Sequence, residues 1–129
     1  MDLLTTQKRS RVFDLVGGLP AFERLVGAFY DRVKRDEALS AMFPEDMTGP
    51  KERLALFLAQ FFGGPPEYSL RRGHPRLRSR HLPFAIGQAQ RDAWLAHMLA
   101  ALEEVGIGEP ALAEMRAYFD DASTFMINQ

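Results

Sequence analysis

The sequence has no cysteine among its 129 residues, which excludes a disulfide framework, a thiol nucleophile, an iron–sulfur cluster and any thiolate-ligated metal. It also has no long apolar run: the longest, residues 54–62, is interrupted by Gln60 and falls far short of the roughly 20 residues that a membrane helix needs. Neither sign of charge dominates, since there are 16 basic and 17 acidic side chains. These absences argue against membrane and nucleic-acid partners and predict a single domain in the cytoplasm.

The sequence does contain helical periodicity. Apolar residues recur at steps of three and four in four stretches, residues 20–35, 54–62, 88–105 and 110–126. The second stretch ends in Phe61 and Phe62, which predicts deep burial for both. No alternating strand pattern is present. We therefore predict an all-α domain of four main helices plus short ones over residues 12–129, after a loosely ordered lead-in over residues 1–11.

An irregular segment, residues 63–87, separates the second and third helices. A stretch this long in a compact domain is usually functional or disordered, and its composition favours function. It has no acidic residue between Tyr68 and Ala89, so its arginines create a local positive field inside a nearly neutral protein. Those arginines are Arg71, Arg72, Arg76, Arg78 and Arg80.

Histidine is scarce, with three residues in the chain, all from position 74 onward. Pro75 can begin a short helix and Pro83 disfavours helical geometry at Leu82, which predicts His81 in the last turn of a helix of about two turns. His81 then shares a face with Leu77. Carbonyls at a helix end have no intrahelical partner, so one can accept a hydrogen bond from the Nδ1–H of the imidazole. That bond would leave Nε2 free as a metal ligand in a fixed tautomer.

A histidine beside arginines is more often a surface or helix-capping residue, so the ligand interpretation needs a reason. A zinc site takes three or four protein ligands, and His74 and His97 come with no cysteine or carboxylate at a matching spacing. A single histidine suffices if the metal arrives in a macrocycle, as in haem. Arg80 and its neighbours could bind the two propionates, and a large flat ring needs apolar walls. Candidate walls are Phe43, Phe57, Phe61, Phe84, Ile86 and Trp94.

Several motifs then resemble one family in order and spacing, over roughly residues 12–125. They are Phe29-Tyr30, Phe43-Pro44-Glu45-Asp46, Phe61-Phe62-Gly63-Gly64-Pro65, Arg72-Gly73-His74-Pro75-Arg76-Leu77-Arg78, Arg80-His81-Leu82-Pro83-Phe84 and Arg91-Asp92-Ala93-Trp94-Leu95. This set is similar to the truncated haemoglobins of group II, and the glycine pairs Gly17-Gly18 and Gly63-Gly64 resemble that family's double-glycine corners.

The resemblance implies a two-over-two helical sandwich around haem b, with His81 as the proximal iron ligand and Tyr30 and Trp94 as distal polar residues. A bound dioxygen carries partial negative charge, so a hydrogen-bond donor near it slows its release, and no histidine precedes position 74 to serve as that donor. Core aromatics with backbone-bonded polar tips are the alternative for Tyr30 and Trp94. The expected haem-pocket residues are Phe43, Leu54, Phe57, Phe61, Tyr68, Leu77, Arg80, Phe84, Ile86 and Met98.

Two departures from the family pattern affect the expected pocket. Phe43 stands where many members carry tyrosine, which predicts fewer donors around the ligand. Pro50 or Lys51 falls at the distal gate, and an apparent one-residue shortening after Met47 leaves the choice open. Of the other histidines, His97 is expected on the outer side of its helix, and His74 at a solvent-facing turn or a propionate.

The resulting hypothesis is a haem protein that binds or transports dioxygen and other diatomic gases. The same site could instead oxidise nitric oxide with bound dioxygen or reduce peroxide, with a reductase as electron donor. A haem-free helical interaction module using the arginine-rich segment is the alternative from another class. The family resemblance also suggests a homodimer.

Overall fold

The computed structural model describes residues 10–129, so the predicted lead-in lies, up to residue 9, outside the described residues. Over residues 10–129 the chain is helical and has no strand. The helices are α1 (Val12–Val16), α2 (Leu19–Lys34), α3 (Glu37–Ser40), α4 (Thr48–Phe61), α5 (Glu67–Arg72), α6 (Leu77–His81), α7 (Gln88–Glu104) and α8 (Ala111–Phe125). The all-α prediction is confirmed, and its four main helices are α2, α4, α7 and α8.

Helix α2 is the centre of the core. Its predicted apolar stripe is buried along its whole length, and Phe22, Leu25, Phe29 and Val33 expose 1% or less. Burial of each such side chain contributes about 1.5–3 kcal/mol to folding. Helix α2 packs against α4 and α7, while α8 packs against α7 and α1. The four long helices thereby form two packed pairs that enclose the space between them.

The prediction that Phe61 and Phe62 are both deeply buried is wrong for Phe61. Phe62 is fully buried, whereas Phe61 is 47% exposed and lies with its ring 4.2 Å from that of Tyr118. Neighbouring residues at a helix end point about 100° apart, so both rings cannot face the same core.

The corner after α4 depends on two glycines. Gly63 has a φ of 104°, in the left-handed region that favours glycine. A Cβ on Gly64 would collide with the ring of Phe13 and the carbonyl oxygen of Ala59. The corner therefore lets the end of α4 approach α1, and Phe13 N–H donates to Phe62 O at 2.9 Å.

The segment after the corner forms two short helices, α5 and α6, where the sequence predicted one short helix. Helix α6 ends at His81, as the position of Pro83 predicted, but it begins at Leu77 and is shorter than two turns. Arg76 precedes it with a φ of 47°. Among the described residues, no helix is both long and apolar enough to cross a membrane.

Candidate functional site

A cavity of about 330 Å³ lies between the two helix pairs and is closed on one side by α6 and the residues after it. Its volume is within the range of about 300–1,000 Å³ that small-molecule and cofactor sites occupy. Its wall is mostly apolar, with a few polar groups. Nine residues proposed from the sequence line it: Tyr30, Phe43, Leu54, Phe57, Leu77, His81, Phe84, Ile86 and Trp94.

His81 enters this cavity from the end of α6. Its Nδ1 lies 2.6 Å from the carbonyl oxygen of Leu77, one turn earlier in the helix. A carbonyl only accepts, so Nδ1 carries the proton, and in the neutral imidazole Nε2 then keeps its lone pair. The hydrogen bond predicted from the sequence is therefore present, and it fixes the orientation of the imidazole ring.

The C-terminal residues fasten the segment that carries His81. Asn128 accepts a hydrogen bond from Ile86 N–H at 2.9 Å and donates to the carbonyl of Phe84 at 2.8 Å. The guanidinium of Arg78 donates to the carbonyl of Phe125 at 2.5 Å and lies over that residue's ring. Sequence patterning gave no signal for these contacts, because they join residues more than 40 positions apart.

Tyr30 is 5% exposed, and its hydroxyl makes no hydrogen bond to any residue of the described chain. Burial raises the pKa of Tyr30 to about 12, and the nearby positive charge of Arg53 only partly opposes this. Its ring packs edge-on against Phe43 at 5.5 Å between centroids. Tyr30 therefore stays a neutral phenol with a free donor at the cavity.

Trp94 lines the cavity from α7. Its ring lies edge-on against Phe29 at 5.3 Å and Phe119 at 5.9 Å. Within residues 10–129 its indole N–H has no hydrogen-bond partner, so an unpaired donor lies at the cavity wall.

Four residues of the predicted pocket lie outside the cavity lining: Phe61, Tyr68, Arg80 and Met98. Met98 is fully buried in the core, and Phe61 is half exposed at the end of α4. Tyr68 is buried beside a second cleft of about 200 Å³, and Arg80 lies over the Tyr68 ring at 5.8 Å. The remaining residues of that cleft are Gly49, Glu52, Arg53, Leu56, Arg71 and Arg72.

Sequence reasoning missed several residues of the cavity. Arg53 lines both the cavity and the second cleft. Tyr118 brings a second tyrosine to the wall, and burial raises its pKa to about 12. Tyr118 belongs to the apolar stripe of α8, so its place on the buried face of that helix could have been predicted from the sequence. The position of Arg53 could not be predicted in this way, because a charged residue next to an apolar stripe is ordinarily expected to face solvent.

The other two histidines make contacts of their own. The backbone N–H of Arg76 donates to Nδ1 of His74 at 3.1 Å, so His74 shapes the turn before α6. His97 is half-buried, and its Nε2 lies 2.7 Å from Oδ2 of Asp36, which corrects the expected outward position. Among the described residues no three His, Asp or Glu side chains form a group that could hold a metal ion.

These features together define a class of protein. An all-helical fold that encloses an apolar cavity, with one oriented imidazole and two unpaired donors, fits a macrocycle whose metal needs a single protein ligand. That class is the globins. The comparisons with known proteins narrow it further.

The family model "Bacterial-like globin" matches residues 11–128. The chain is 38% identical over 112 residues to the Group 2 truncated hemoglobin YjbI of Bacillus subtilis (strain 168), covering 87% of this chain and 85% of that protein. Among solved structures, a haemoglobin of Chloroflexus aurantiacus is 52% identical with a TM-score of 0.90, covering 92% of this chain and 98% of that one. A structure described as a truncated oxygen-avid haemoglobin from Bacillus subtilis is 35% identical with a TM-score of 0.87, covering 91% and 98%.

The chain therefore belongs to the bacterial-like globin family, and within it to the group II truncated haemoglobins. Its two packed helix pairs are the two-over-two sandwich of that fold. Membership implies haem binding, which contradicts the haem-free interaction module.

Proposed function

We propose that this protein binds haem b through His81 and binds dioxygen, or another diatomic gas, at the iron under the control of Tyr30 and Trp94. The observation that carries this proposal is the 2.6 Å contact between His81 Nδ1 and Leu77 O at an apolar cavity. Haem supplies the iron at which such gases bind. Everything else in the proposal concerns the residues of this chain.

His81 acts as the proximal ligand through Nε2. The hydrogen bond to Leu77 O fixes the ring orientation, as outer-shell acceptors do for metal-bound histidines. Leu77 also lines the cavity, so the residue that orients His81 packs against the same ligand.

Tyr30 and Trp94 act as distal donors. A dioxygen that gains negative charge is stabilised by an O–H or N–H aimed at it, and more strongly in a dry pocket. Leu54 and Phe43 add apolar wall and exclude water. Of the two candidates for the distal gate, Pro50 lines the cavity and Lys51 does not, which favours Pro50.

The second cleft is suited to the haem propionates. It shares Arg53 with the cavity lining and is lined by Arg71, which pairs with Glu52 and Glu67, and by Arg72, which pairs with no carboxylate among the described residues. Arginine binds carboxylates with paired hydrogen bonds. The roles proposed for Tyr68 and Arg80 from the sequence then fall at this cleft rather than in the cavity.

Similarity to the oxygen-avid Bacillus subtilis haemoglobin supports dioxygen as the ligand. Oxidation of nitric oxide or reduction of peroxide would use the same residues, and no described contact favours either over binding. Haem iron that becomes oxidised must be returned to the ferrous state before it can bind dioxygen again. The proposed function therefore includes a reductase as electron donor. The homodimer and the cytoplasmic location stay predictions.

The visible absorption spectrum of the purified protein tests the central claim. Wild-type protein reconstituted with haemin should show a strong Soret band, and His81→Ala should lose or badly perturb it. His74→Ala is the matched control, because it removes the neighbouring, exposed histidine and should leave the band unchanged. A folded wild-type protein that refuses haemin, or equal spectra for the two variants, would contradict the proposal.

A further inference from the structure

The side chain of Asn128, beyond the end of α8, lies against the backbone that follows His81. Its Nδ2 donates to the carbonyl of Phe84 at 2.8 Å and, with a longer contact of 3.4 Å, to the carbonyl of His81 itself. Its Oδ1 accepts from Ile86 N–H at 2.9 Å. Both ends of the Asn128 amide are therefore engaged by backbone groups of one short segment, residues 81–86.

The backbone of the C-terminal residues adds to this contact. Asn128 N–H donates to Ile86 O at 2.8 Å, and Gln129 N–H donates to the same oxygen at 3.2 Å. Asn128 and Ile86 thus exchange two hydrogen bonds, one from each residue's backbone N–H. Ile86 is 8% exposed and lines the cavity, so the residue tied most closely to Asn128 is part of the cavity wall.

The segment that Asn128 contacts has little packing of its own. Residues 82–87 form no helix, and α6, which precedes them, has no buried residue. Phe84 N–H donates to His81 O at 3.0 Å, which closes a local turn around Pro83. A segment with few buried contacts depends on hydrogen bonds to distant residues for its position. Asn128 supplies such bonds from 47 positions away in the sequence.

We propose that Asn128 is a positioning residue for the proximal iron ligand. This inference rests on the proposed function, in which Nε2 of His81 binds the haem iron. The carbonyl of Leu77, 2.6 Å from Nδ1, fixes the orientation of the imidazole ring. Asn128 fixes the backbone from which that ring extends. The position of Nε2 depends on both, so neither contact alone determines where the ligand atom lies.

Asparagine suits this position because the segment presents groups of both kinds. The carbonyls of His81 and Phe84 need a donor, whereas the N–H of Ile86 needs an acceptor. An ionised aspartate of the same shape would still accept from Ile86 N–H, but it could not donate to either carbonyl. Asn128→Asp therefore removes the donor alone, and Asn128→Ala removes donor and acceptor together.

The test compares haem-loaded wild type with these two variants. The iron–histidine stretching band of the ferrous, unliganded protein is measured by resonance Raman spectroscopy, and the rate of haemin loss is measured with excess apomyoglobin as scavenger. In both variants the band should broaden and move to lower frequency, because the imidazole takes a range of positions. Haemin loss should be at least about threefold faster, since hydrogen bonds that hold the ligand are missing.

Gln129→Ala is the matched control. It truncates the neighbouring exposed side chain, which makes no hydrogen bond to residues 81–86, and it keeps the backbone bond to Ile86 O. It should leave the band and the haemin loss unchanged. Urea unfolding of each variant shows how much overall stability is lost.

A purely structural role for Asn128 would lower stability and speed haemin loss but leave the iron–histidine band at its wild-type position and width, and that result would overturn the proposal. A wild-type band in Asn128→Asp would do the same, because the donor would then be dispensable. His81→Ala separates this inference from the proposed function. If His81→Ala kept the iron–histidine band, the proposed function would fail. If His81→Ala lost the band and both Asn128 variants retained it unchanged, the positioning role alone would fail.

Discussion

The two tyrosines of the cavity are chemically alike but differently placed. Tyr30 lies on α2 against Phe43, whereas Tyr118 lies on α8 against Phe61. Burial raises the pKa of each to about 12, so both are neutral donors at physiological pH. Neither hydroxyl has a hydrogen-bond partner within residues 10–129. The two tyrosines differ in the side of the cavity on which they lie. The dioxygen dissociation rates of their phenylalanine variants can distinguish which of them contacts the ligand.

Tyr30→Phe should raise the dioxygen dissociation rate at least about tenfold, since a hydrogen bond to a charged group contributes about 1.5–3 kcal/mol and about 1.4 kcal/mol is a factor of ten. Trp94→Phe should raise the rate as well. The measurement is stopped-flow displacement of dioxygen from the ferrous protein.

Tyr118→Phe is the matched control, because it removes the same atom from the other side of the cavity and should change the rate little. A larger effect for Tyr118→Phe than for Tyr30→Phe would mean that the distal donor has been misassigned.

Single residues also show what a sequence can and cannot reveal. The position of His81 at the end of α6 and its hydrogen bond were predictable, because Pro83 ends the helix and the free carbonyl of Leu77 lies one turn earlier. Arg53 and Asn128 were not, because their roles depend on which distant segments the fold brings to them. Periodicity reports which side of a helix is buried, but it does not report which polar residue lies at the edge of a cavity.

At the level of elements, the contacts of Arg91 give a structural reason for the motif Arg91-Asp92-Ala93-Trp94-Leu95. Its guanidinium pairs with the carboxylate of Asp120 and donates to Thr124 Oγ1 at 3.2 Å, so it ties the start of α7 to the end of α8. Trp94 follows one turn later on α7. The motif therefore sets the position of the proposed donor as well as the contact between two helices.

The short helix α3 is held at its start by Asp36. The Asp36 side chain accepts from Ala38 N–H at 3.0 Å and from the imidazole of His97 on α7 at 2.7 Å. The hydrogen bond with His97 contributes most to lowering the pKa of Asp36 below its usual 3.8. Leu39 and Met42, which follow, line the cavity, so this contact positions part of its wall.

Acid should therefore weaken the protein through Asp36. Its pKa is lowered in the folded state, so its contribution to stability is present above about pH 4 and is lost as the pH falls through the folded-state pKa. Asp36→Asn keeps a helix-capping oxygen but removes the charge. The stability difference between wild type and Asp36→Asn, from urea unfolding, should be larger at pH 6 than at pH 3. Asp36→Ala should be destabilised at both. A constant difference between wild type and Asp36→Asn would show that the charge of Asp36 contributes nothing.

Most ends of the long helices were predictable to within a few residues because their apolar stripes are regular. The stretch predicted over residues 20–35 is observed as Leu19–Lys34, and that over residues 88–105 as Gln88–Glu104. Helix α4 begins at Thr48, well before the apolar run starts at Leu54, since its first turns carry polar and proline residues. Helix α5 was missed altogether, because six residues are too few to show a period.

At the scale of the whole molecule, the helices differ in how much of their surface is buried. Helix α2 is buried along one entire face, whereas α6 has no buried residue. Hydrogen bonds from Arg78 to the C-terminal residues hold helix α6 in place. Its other attachment is at the cavity, which Leu77 and His81 line. Such a segment opens locally at low free energy unless a ligand binds it.

Haem should therefore stabilise α6 more than the rest of the chain. A ligand that binds only the closed state stabilises it by about 2.7 kcal/mol at 100 times its Kd, so amide exchange in Leu77–His81 should slow by up to about a hundredfold when haemin is added. His81→Ala should remove most of this protection, because the iron–imidazole bond is its proposed source. Exchange in the α2 core, measured by mass spectrometry in the same samples, gives the internal reference. If α2 and α6 gained protection equally in wild type, haem would be stabilising the fold as one unit, and α6 would not be the element whose closure haem controls.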